Sequence, residues 1–205
     1  DTAPELEVIK TVDRVVDLEP IMDSHFLEMA HWMSQMYVAG LGEVLNAMTP
    51  SARKSRDLAE ASGDEPAPET PHTLSREQEE AIQRTLAPSL PDGEAWYYLY
   101  GITGSGKTEV FLQAAEQLLQ AGKGTIYLVP EIALTHQLFE RIAARFHGRA
   151  AVLHSGLTPA QRLSEWKRIL RGEAKVVVGA RSAIFAPVTD LGLIVIDEEH
   201  ESSYK

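Results

Sequence analysis

A glycine-rich stretch of eight residues has the clearest chemistry in this sequence. Residues 101–108 read GITGSGKT, so Gly101, Gly106, Lys107 and Thr108 match the pattern of a phosphate-binding loop. Glycines let backbone N–H groups wrap around an anion, the lysine reaches terminal phosphates, and the threonine hydroxyl can ligate Mg²⁺. An apolar run precedes the stretch and a helical pattern follows it, which argues against a chance glycine-rich turn. The stretch therefore predicts a nucleoside triphosphate site.

Two carboxylates near the end of the sequence could complete that site. Asp197 and Glu198 directly follow the apolar run LGLIVI. In parallel α/β sheets, ligands lie at the carboxyl ends of the strands. Asp197 would hold Mg²⁺ through water, and Glu198 would orient and deprotonate an attacking water. The alternative is that residues 197–200 are only a solvated run of charge.

The elements that must position these residues can be predicted from the alternation of patterns after Thr73. Helices are predicted after the capping box Ser75–Gln78 to about Leu86, and over 107–121, 133–146 and 159–171. Continuously apolar strands separated by helices form a parallel sheet covered on both faces, which makes the fold class α/β. The predicted strands are 95–100, 124–129, 151–154, 174–179 and 191–196.

The first 72 residues follow a different pattern. Residues 6–16 predict one strand, and a helix should follow an N-cap at Asp23 or Ser24, with a second short helix before Pro50. Residues 51–72 are rich in proline and charge and predict a linker. The predicted domains are 1–50, a small α+β unit, and 73–205, and the linker suggests that they move independently. The first helix should pack through a stripe formed by Phe26, Met29, Ala30, Met33 and Tyr37.

Composition sets wider limits. No uncharged apolar run approaches the length of about 18 residues that a membrane span needs. Cysteine is absent, so this sequence contains no disulfide and no thiolate metal site, which suits the cytoplasm. The net charge of −11 argues against a nonspecific nucleic-acid coat but leaves room for a local basic patch.

About 90 residues of β/α units separate the phosphate loop from Asp197, as in the first motor lobe of a superfamily 2 helicase, and the guanine-reading motif Asn-Lys-x-Asp is absent. Five segments narrow this further. They are GITGSGKTEV, VPEIALT (129–135), LHSGL (153–157), GARSAIFAP (179–187) and VIDEEHESSYK (195–205). In this order and spacing they resemble the primosomal protein N′ (PriA) family of bacterial replication-restart helicases. The resemblance implies a RecA-like P-loop lobe over residues 73–205.

The resemblance also implies roles for single residues. Gln78 matches a glutamine that reads adenine, although it could instead serve only in the capping box. Lys107, Asp197 and Glu198 match the catalytic positions, and Thr108 and Asp197 those that hold Mg²⁺. The remaining ATP-binding positions are Gly101, Thr103, Gly104, Ser105, Gly106 and His200, where His200 couples nucleotide state to DNA contacts. The positions that touch single-stranded DNA are Pro130, Glu131, Gly179, Arg181 and Ser182, where Arg181 is either a phosphate contact or an ordinary surface arginine.

Residues 1–50 resemble the end of that family's DNA 3′-end-binding domain. The family's winged-helix domain has only the short linker in its place here. The family's second lobe and its cysteine-rich zinc insertion would lie beyond Lys205. The resemblance therefore implies a fragment that carries the ATP-binding lobe and is by itself a weak ATP binder without efficient hydrolysis or unwinding.

The implied function of the whole protein is an ATP-dependent 3′→5′ DNA helicase that assembles the primosome and restarts stalled forks. Its partners would be single-stranded and forked DNA, together with primosome and single-strand-binding proteins, and no membrane. Two alternatives stay open: another superfamily 2 repair or recombination translocase, and a non-catalytic P-loop module that docks partner proteins.

Overall fold

A computed structural model describes residues 20–50, 72–87, 95–102 and 104–201 of the chain. The predicted strand over 6–16, almost all of the predicted linker, and Thr103 lie outside the described residues. Within them, the fold is a parallel α/β sheet with helices on both faces, as the alternation of patterns predicts.

The sheet has four parallel strands in the order β2-β3-β1-β4. The strands are β1 (Gly124–Leu128), β2 (Ala150–Leu153), β3 (Val176–Gly179) and β4 (Leu191–Ile196). Each matches a predicted run to within two residues at either end. Because all four are parallel, their carboxyl ends meet along one edge, where the loops after 128, 153, 179 and 196 converge.

Six α-helices and two short 3-10 helices complete the described part. The α-helices are α1 (Ser24–Met36), α2 (Leu41–Met48), α3 (Arg76–Leu86), α4 (Lys107–Gln120), α5 (His136–Phe146) and α6 (Pro159–Leu170). The 3-10 helices are Glu131–Ala133 and Arg181–Phe185. Local side-chain caps set several starts: the side chains of Asp23, Ser75, Thr135 and Thr158 each accept the N–H three residues on.

The sheet separates two hydrophobic layers. On one face, α4 and α5 pack through Leu112, Ile142 and Phe146 against alternate residues of β1, β3 and β4. On the other face, α6 and the 3-10 helix Arg181–Phe185 pack through Ile169 and Ala183 against the intervening residues. This period of two is the natural consequence of strand geometry.

The predicted strand over 95–100 does not form. These residues are described, but they have no strand pairing, and the aromatic side chains of Trp96, Tyr98 and Tyr100 are exposed. Among the described residues, β4 pairs only with β1, so the other edge of β4 is open. Apolar composition predicts an extended segment, but a strand also needs a neighbouring edge with which to exchange hydrogen bonds.

The two parts of the chain do not behave as the linker suggests, because α1 and α2 pack on α6 and on the 3-10 helix Arg181–Phe185. Phe26 of α1 meets Trp166 of α6 edge-to-face, with ring centroids 5.8 Å apart. The Trp166 indole also donates a hydrogen bond of 2.9 Å to the Ile21 carbonyl. Trp166 is 3% exposed, so the contact between α1 and α6 lies in a buried hydrophobic cluster. The expectation of independent motion is therefore wrong for residues 20–50.

The predicted stripe on α1 is only half right. Phe26 and Ala30 are buried and Met33 packs beside them, whereas Met29 and Tyr37 are exposed. The buried half is the half that faces Trp166. The sequence pattern identified an apolar helix but could not tell which part of its surface the second layer would cover.

Candidate nucleotide-binding site

The phosphate loop joins the segment 95–102 to α4. Gly104 and Gly106 have φ of 80° and 82°, a left-handed conformation that favours glycine. Gly106 is the N-cap of α4, so the loop leads directly into helix N-terminal amides. The Lys107 ammonium donates to the carbonyls of Gly101 at 2.8 Å and Ile102 at 3.2 Å. A cation and a cluster of N–H groups thus converge at the loop.

Gln78 lies against the loop and also forms its predicted capping box. Its Oε1 accepts the Ser75 N–H at 2.8 Å, and its own N–H donates to the Ser75 hydroxyl. Its Nε2 donates to the Ser105 carbonyl at 2.9 Å. A Cβ built on Gly106 would lie 2.5 Å from that Nε2, so glycine permits the approach. The cap and the loop contact therefore coexist, and Oε1 and Nε2 each keep one further hydrogen-bonding position for an adenine edge.

Asp197 is held at the carboxyl end of β4 by a residue of the neighbouring strand. The Tyr127 hydroxyl donates to Asp197 Oδ2 at 2.7 Å, and the Glu198 N–H donates to Oδ1 at 3.0 Å. The Asp197 N–H in turn continues the β1–β4 pairing by donating to the Leu128 carbonyl. These contacts orient the carboxylate while each oxygen keeps a lone pair for water or a metal ion.

The acids after Asp197 are exposed and turn away from the regular strand. Glu198 has φ of 50°, and its carboxylate lies 3.6 Å from the imidazole of His200. The Tyr98 hydroxyl donates to Glu199 at 3.4 Å, and the negative charge of Glu199 raises the pKa of Tyr98. Tyr98 therefore connects the segment before the phosphate loop to the acidic turn.

One cavity of about 700 Å³ brings the two motifs together. It lies between the segment 95–102 and β4, and its lining includes Gly101, Lys107, Asp197, Glu198 and His200. Gly104, Ser105, Gly106 and Thr108 adjoin it through the loop and the first turn of α4 but do not line it. Residues of both motifs therefore line one cavity, and their sharing of a nucleotide site stays a prediction.

The residues present fit a nucleotide with Mg²⁺. The positive-φ glycines and the start of α4 suit phosphate oxygens, and a Cβ at Gly101 would lie 2.5 Å from the Ser105 hydroxyl. Hydroxyl and carboxylate oxygens of Thr108 and Asp197 are the hard ligands that Mg²⁺ prefers. Within the described ranges, no group of three or more acidic or histidine side chains could hold a metal ion alone. A metal here would therefore need ligands from the nucleotide and water.

The remaining predicted residues lie along the same edge of the sheet but outside the cavity. Pro130 and Glu131 follow β1, while Arg181 and Ser182 follow β3 and are exposed. Gly179 is the last residue of β3, and a Cβ there would lie 2.5 Å from the Leu153 carbonyl. Gly179 thus has a packing role whatever else it contacts.

A buried ionic cluster below the loop was not predicted from the sequence. Glu109 accepts hydrogen bonds from Arg141 at 2.6 Å, Arg145 at 2.8 Å and Gln113 at 2.8 Å. Arg145 also contacts Glu116 at 3.1 Å. Burial raises the pKa of Glu109, but the hydrogen bonds and the two positive charges outweigh it, so the pKa lies below its usual value. Burial also lowers the pKa of Arg145, and its two carboxylate partners outweigh that effect and raise it.

Tyr127 was also missed, although the sequence carried a signal. It is the one hydroxyl-bearing aromatic in the buried run GTIYL, and a buried phenol normally requires a hydrogen-bond partner. The cluster around Glu109 gave no comparable signal, because charged residues in amphipathic helices are ordinarily solvated.

No helix in the described ranges combines the length and the apolar character that crossing a membrane requires.

Two models of known protein families match different parts of the sequence. The family model described as DEAD/DEAH box helicase matches residues 75–205. The model described as 3'DNA-binding domain (3'BD) matches residues 1–50.

Curated relatives extend the match over almost the whole chain. The replication restart protein PriA of Treponema pallidum is 49% identical over 197 residues, which are 96% of this chain and 30% of that protein. PriA of Bacillus subtilis is 51% identical over 135 residues, 66% of this chain and 17% of its own length. PriA of Rickettsia felis is 35% identical over 209 residues, 100% and 31% respectively. The chain thus spans about a third or less of these relatives. Because the family model matches residues 75–205, more than half of its length, this chain belongs to the DEAD/DEAH box helicase family.

Proposed function

We propose that this chain is the ATP-binding lobe, with part of a DNA 3′-end-binding unit, of a helicase that restarts replication. The observation that carries the proposal is that Gly101 and Lys107 of the phosphate loop line the same cavity as Asp197 and Glu198. The likeness to PriA proteins over nearly the whole chain supports the replication-restart context.

In the proposed chemistry, the loop residues Gly101 to Thr108 bind the phosphates of ATP. Lys107 exchanges the carbonyls of Gly101 and Ile102 for phosphate oxygens, a charge-assisted contact that is stronger than a neutral one. Thr108 and Asp197 hold Mg²⁺, with Tyr127 keeping Asp197 oriented. Glu198 positions and deprotonates the attacking water. Gln78 reads the adenine edge.

The nucleic acid would pass along the carboxyl edge of β1 and β3. Pro130, Glu131, Gly179, Arg181 and Ser182 follow these neighbouring strands, so they lie in adjacent loops. Arg181 supplies a positive charge for a phosphate despite the net charge of −11. The proposed whole protein moves 3′→5′ along single-stranded DNA in the cytoplasm and acts with primosome and single-strand-binding proteins. The proposed domains are 1–50 and 73–205, joined by 51–72.

The test is calorimetric titration of this chain with Mg·ATP and with Mg·GTP. We expect weak binding that favours ATP, and a loss of at least about tenfold in Lys107→Ala, because a charged hydrogen-bond donor contributes about 1.5–3 kcal/mol. Lys123→Ala, which removes an exposed lysine before β1, is the matched control and should bind like the wild type.

Gln78→Ala tests the adenine contact separately. We expect it to remove the preference for ATP over GTP, and its helix should also lose the bond from the Ser75 N–H to the Gln78 side chain. A preference that survives in Gln78→Ala would leave Gln78 as a cap alone. Equal binding by wild type and Lys107→Ala would contradict the nucleotide site and favour the non-catalytic docking module.

A further inference from the structure

The cluster around Glu109 joins the two helices that start at the two proposed binding regions. Glu109 is the third residue of α4, two positions after Lys107, and it is only 5% exposed. Its partners Arg141 and Arg145 belong to α5. That helix begins directly after the segment 130–135, which includes Pro130 and Glu131. A rigid link between α4 and α5 is therefore also a link between the phosphate loop and that segment.

The geometry of Arg145 makes the link rigid. Its side chain is 1% exposed, and its two terminal nitrogens contact Glu109 and Glu116, which are seven residues apart on α4. Seven residues are about two helical turns, so one guanidinium holds two successive turns of the facing helix. Apolar contacts between helices allow small sliding movements, whereas charge-assisted hydrogen bonds to a planar fork are directional. The cluster fixes both the rotation and the axial position of α4 relative to α5.

Stability alone does not explain this arrangement. Removing two charges from water costs several kcal/mol per ion, and well-packed apolar residues often hold such a site as firmly or more firmly. The pairs are balanced in charge, since Glu109 and Glu116 face Arg141 and Arg145. Directional ionic contacts can instead set one relative position of the two helices, as they do in some other proteins.

We propose that Glu109 is a positioning residue that, through Arg141 and Arg145, couples nucleotide in the phosphate loop to nucleic-acid binding at the segment 130–135. This inference rests on the proposed function, since it assumes ATP at the loop and a single strand at that segment. When phosphate replaces the carbonyls of Gly101 and Ile102 as the partner of Lys107, the start of α4 shifts. The cluster transfers the shift to α5 and so to the segment before it.

The test measures this coupling as a ratio in the 205-residue chain. The dissociation constant of a labelled oligothymidine is measured by anisotropy with and without saturating Mg·ATPγS. By linkage, the nucleotide affinity must change by the same factor when oligothymidine is saturating, which provides an internal check. For the wild type we expect a ratio of about fivefold or more, the lower end of typical coupling between sites.

Two variants separate positioning from stability. Glu109→Gln removes the charge with little change in shape, and Glu109→Leu with Arg145→Leu replaces the buried pair with apolar groups. We expect both variants to keep the separate affinities for Mg·ATPγS and for oligothymidine within about twofold of the wild type and to bring the ratio close to one. The melting temperature of the double variant measures how much stability the pair contributes. Glu28→Gln, an exposed carboxylate of α1, is the control and should keep the wild-type ratio.

The outcomes that overturn the inference are specific. A wild-type ratio of one overturns the inference, and so does a wild-type chain that does not bind oligothymidine at all. Retention of the wild-type ratio in either variant also overturns the inference. One variant that folds is enough to make this test. If Mg·ATP binds in a Lys107-dependent manner while the ratio is one, the inference fails and the proposed nucleotide site stands. If Mg·ATP does not bind, the proposed function fails first.

Discussion

The two flanks of β1 are built from similar apolar runs and have very different surroundings. On one flank, Val176, Val177 and Val178 of β3 are at most 1% exposed. On the other, Leu191, Ile194 and Ile196 of β4 are 44–46% exposed, and the facing segment 95–102 has no strand pairing. We call these the closed flank and the open flank.

The difference lies in what covers each strand. The closed flank has β2 beyond β3, with α5 and α6 packed on its two faces. In the part of the chain that the structure describes, the open flank has α4 on one face only, and the cavity of about 700 Å³ separates β4 from residues 95–102. Apolar composition is therefore enough to form an extended strand beside β1, but burial depends on the next layer. The comparison makes four predictions, from the largest effect to the smallest.

The first prediction concerns two residues that are paired between β1 and β4. Ile126 of β1 and Ile194 of β4 are direct neighbours in register, but they are 2% and 45% exposed. Ile126→Ala should lower the free energy of unfolding by about 2–5 kcal/mol, because it leaves a cavity in the core. Ile194→Ala should cost less than about 1 kcal/mol. Urea denaturation followed by circular dichroism measures both, and equal costs would show that the open flank is covered in solution.

The second prediction compares glycines. A Cβ at Gly179 on the closed flank would lie 2.5 Å from the Leu153 backbone oxygen, whereas one at Gly192 on the open flank would meet only side-chain atoms, at 3.0–3.2 Å. Gly179→Ala should therefore cost about 1–3 kcal/mol through overpacking. Gly192→Ala should cost less, because contacts of 3.0–3.2 Å need shifts of only a few tenths of an ångström in Lys123 and Leu118. Melting temperatures test the pair, and a larger loss for Gly192→Ala would break the comparison.

The third prediction concerns the link between α4 on the open flank and α5 on the closed flank. The pKa of Glu109 is lowered in the folded state, so its contribution to stability is present above the unfolded pKa and is lost as pH falls through the folded pKa. Glu109→Gln should cost about 1–3 kcal/mol at pH 7, the usual range for a buried charged hydrogen bond.

That cost should shrink as the pH falls below the usual glutamate value of about 4.3. Unfolding measured between pH 7 and pH 3 tests this, with Glu28→Gln as the exposed control. A constant difference across that range would mean that folding does not shift the pKa of Glu109.

The fourth prediction has the smallest effect on stability. Ile194→Lys places a charge on the open edge of β4 and should change the free energy of unfolding by less than about 0.5 kcal/mol, as exposed substitutions usually do. It should also reduce any concentration-dependent self-association measured by sedimentation, because a lysine on an exposed edge discourages strand pairing. Leu27→Lys, on the exposed side of α1, is the control for added charge. A marked loss of stability in Ile194→Lys would mean that the edge is buried.

Local signals in the sequence predicted most of the elements. The helix after Thr158 begins at Pro159 and carries the capping box with Gln161, as its pattern indicates. The strand before Asp197 has the predicted bounds 191–196. Both depend on contacts between residues three or four apart, or on alternation within one strand, so the information is contained in a short window. The placement of the phosphate loop at the start of α4 follows for the same reason.

Two predictions failed where the deciding contacts are distant in sequence. Residues 95–100 have the composition of a strand, but no described strand edge pairs with them. The proline-rich stretch 51–71 suggested independent parts, but α1 packs on Trp166 of α6. Neither outcome is encoded in a window of ten or fifteen residues.

The sequence by itself determined the parallel α/β class, the glycine-rich loop at the start of α4 and the acids that follow an apolar strand, because these depend on local periodicity and on residue types with few substitutes. Only the tertiary structure decided the partners that hold them. Tyr127 reaches Asp197 across 70 residues, Arg145 reaches Glu109 across 36, and Trp166 reaches the Ile21 carbonyl across 145. Such contacts depend on how the strands and helices are placed in the fold, since the chain between the partners imposes no geometry of its own.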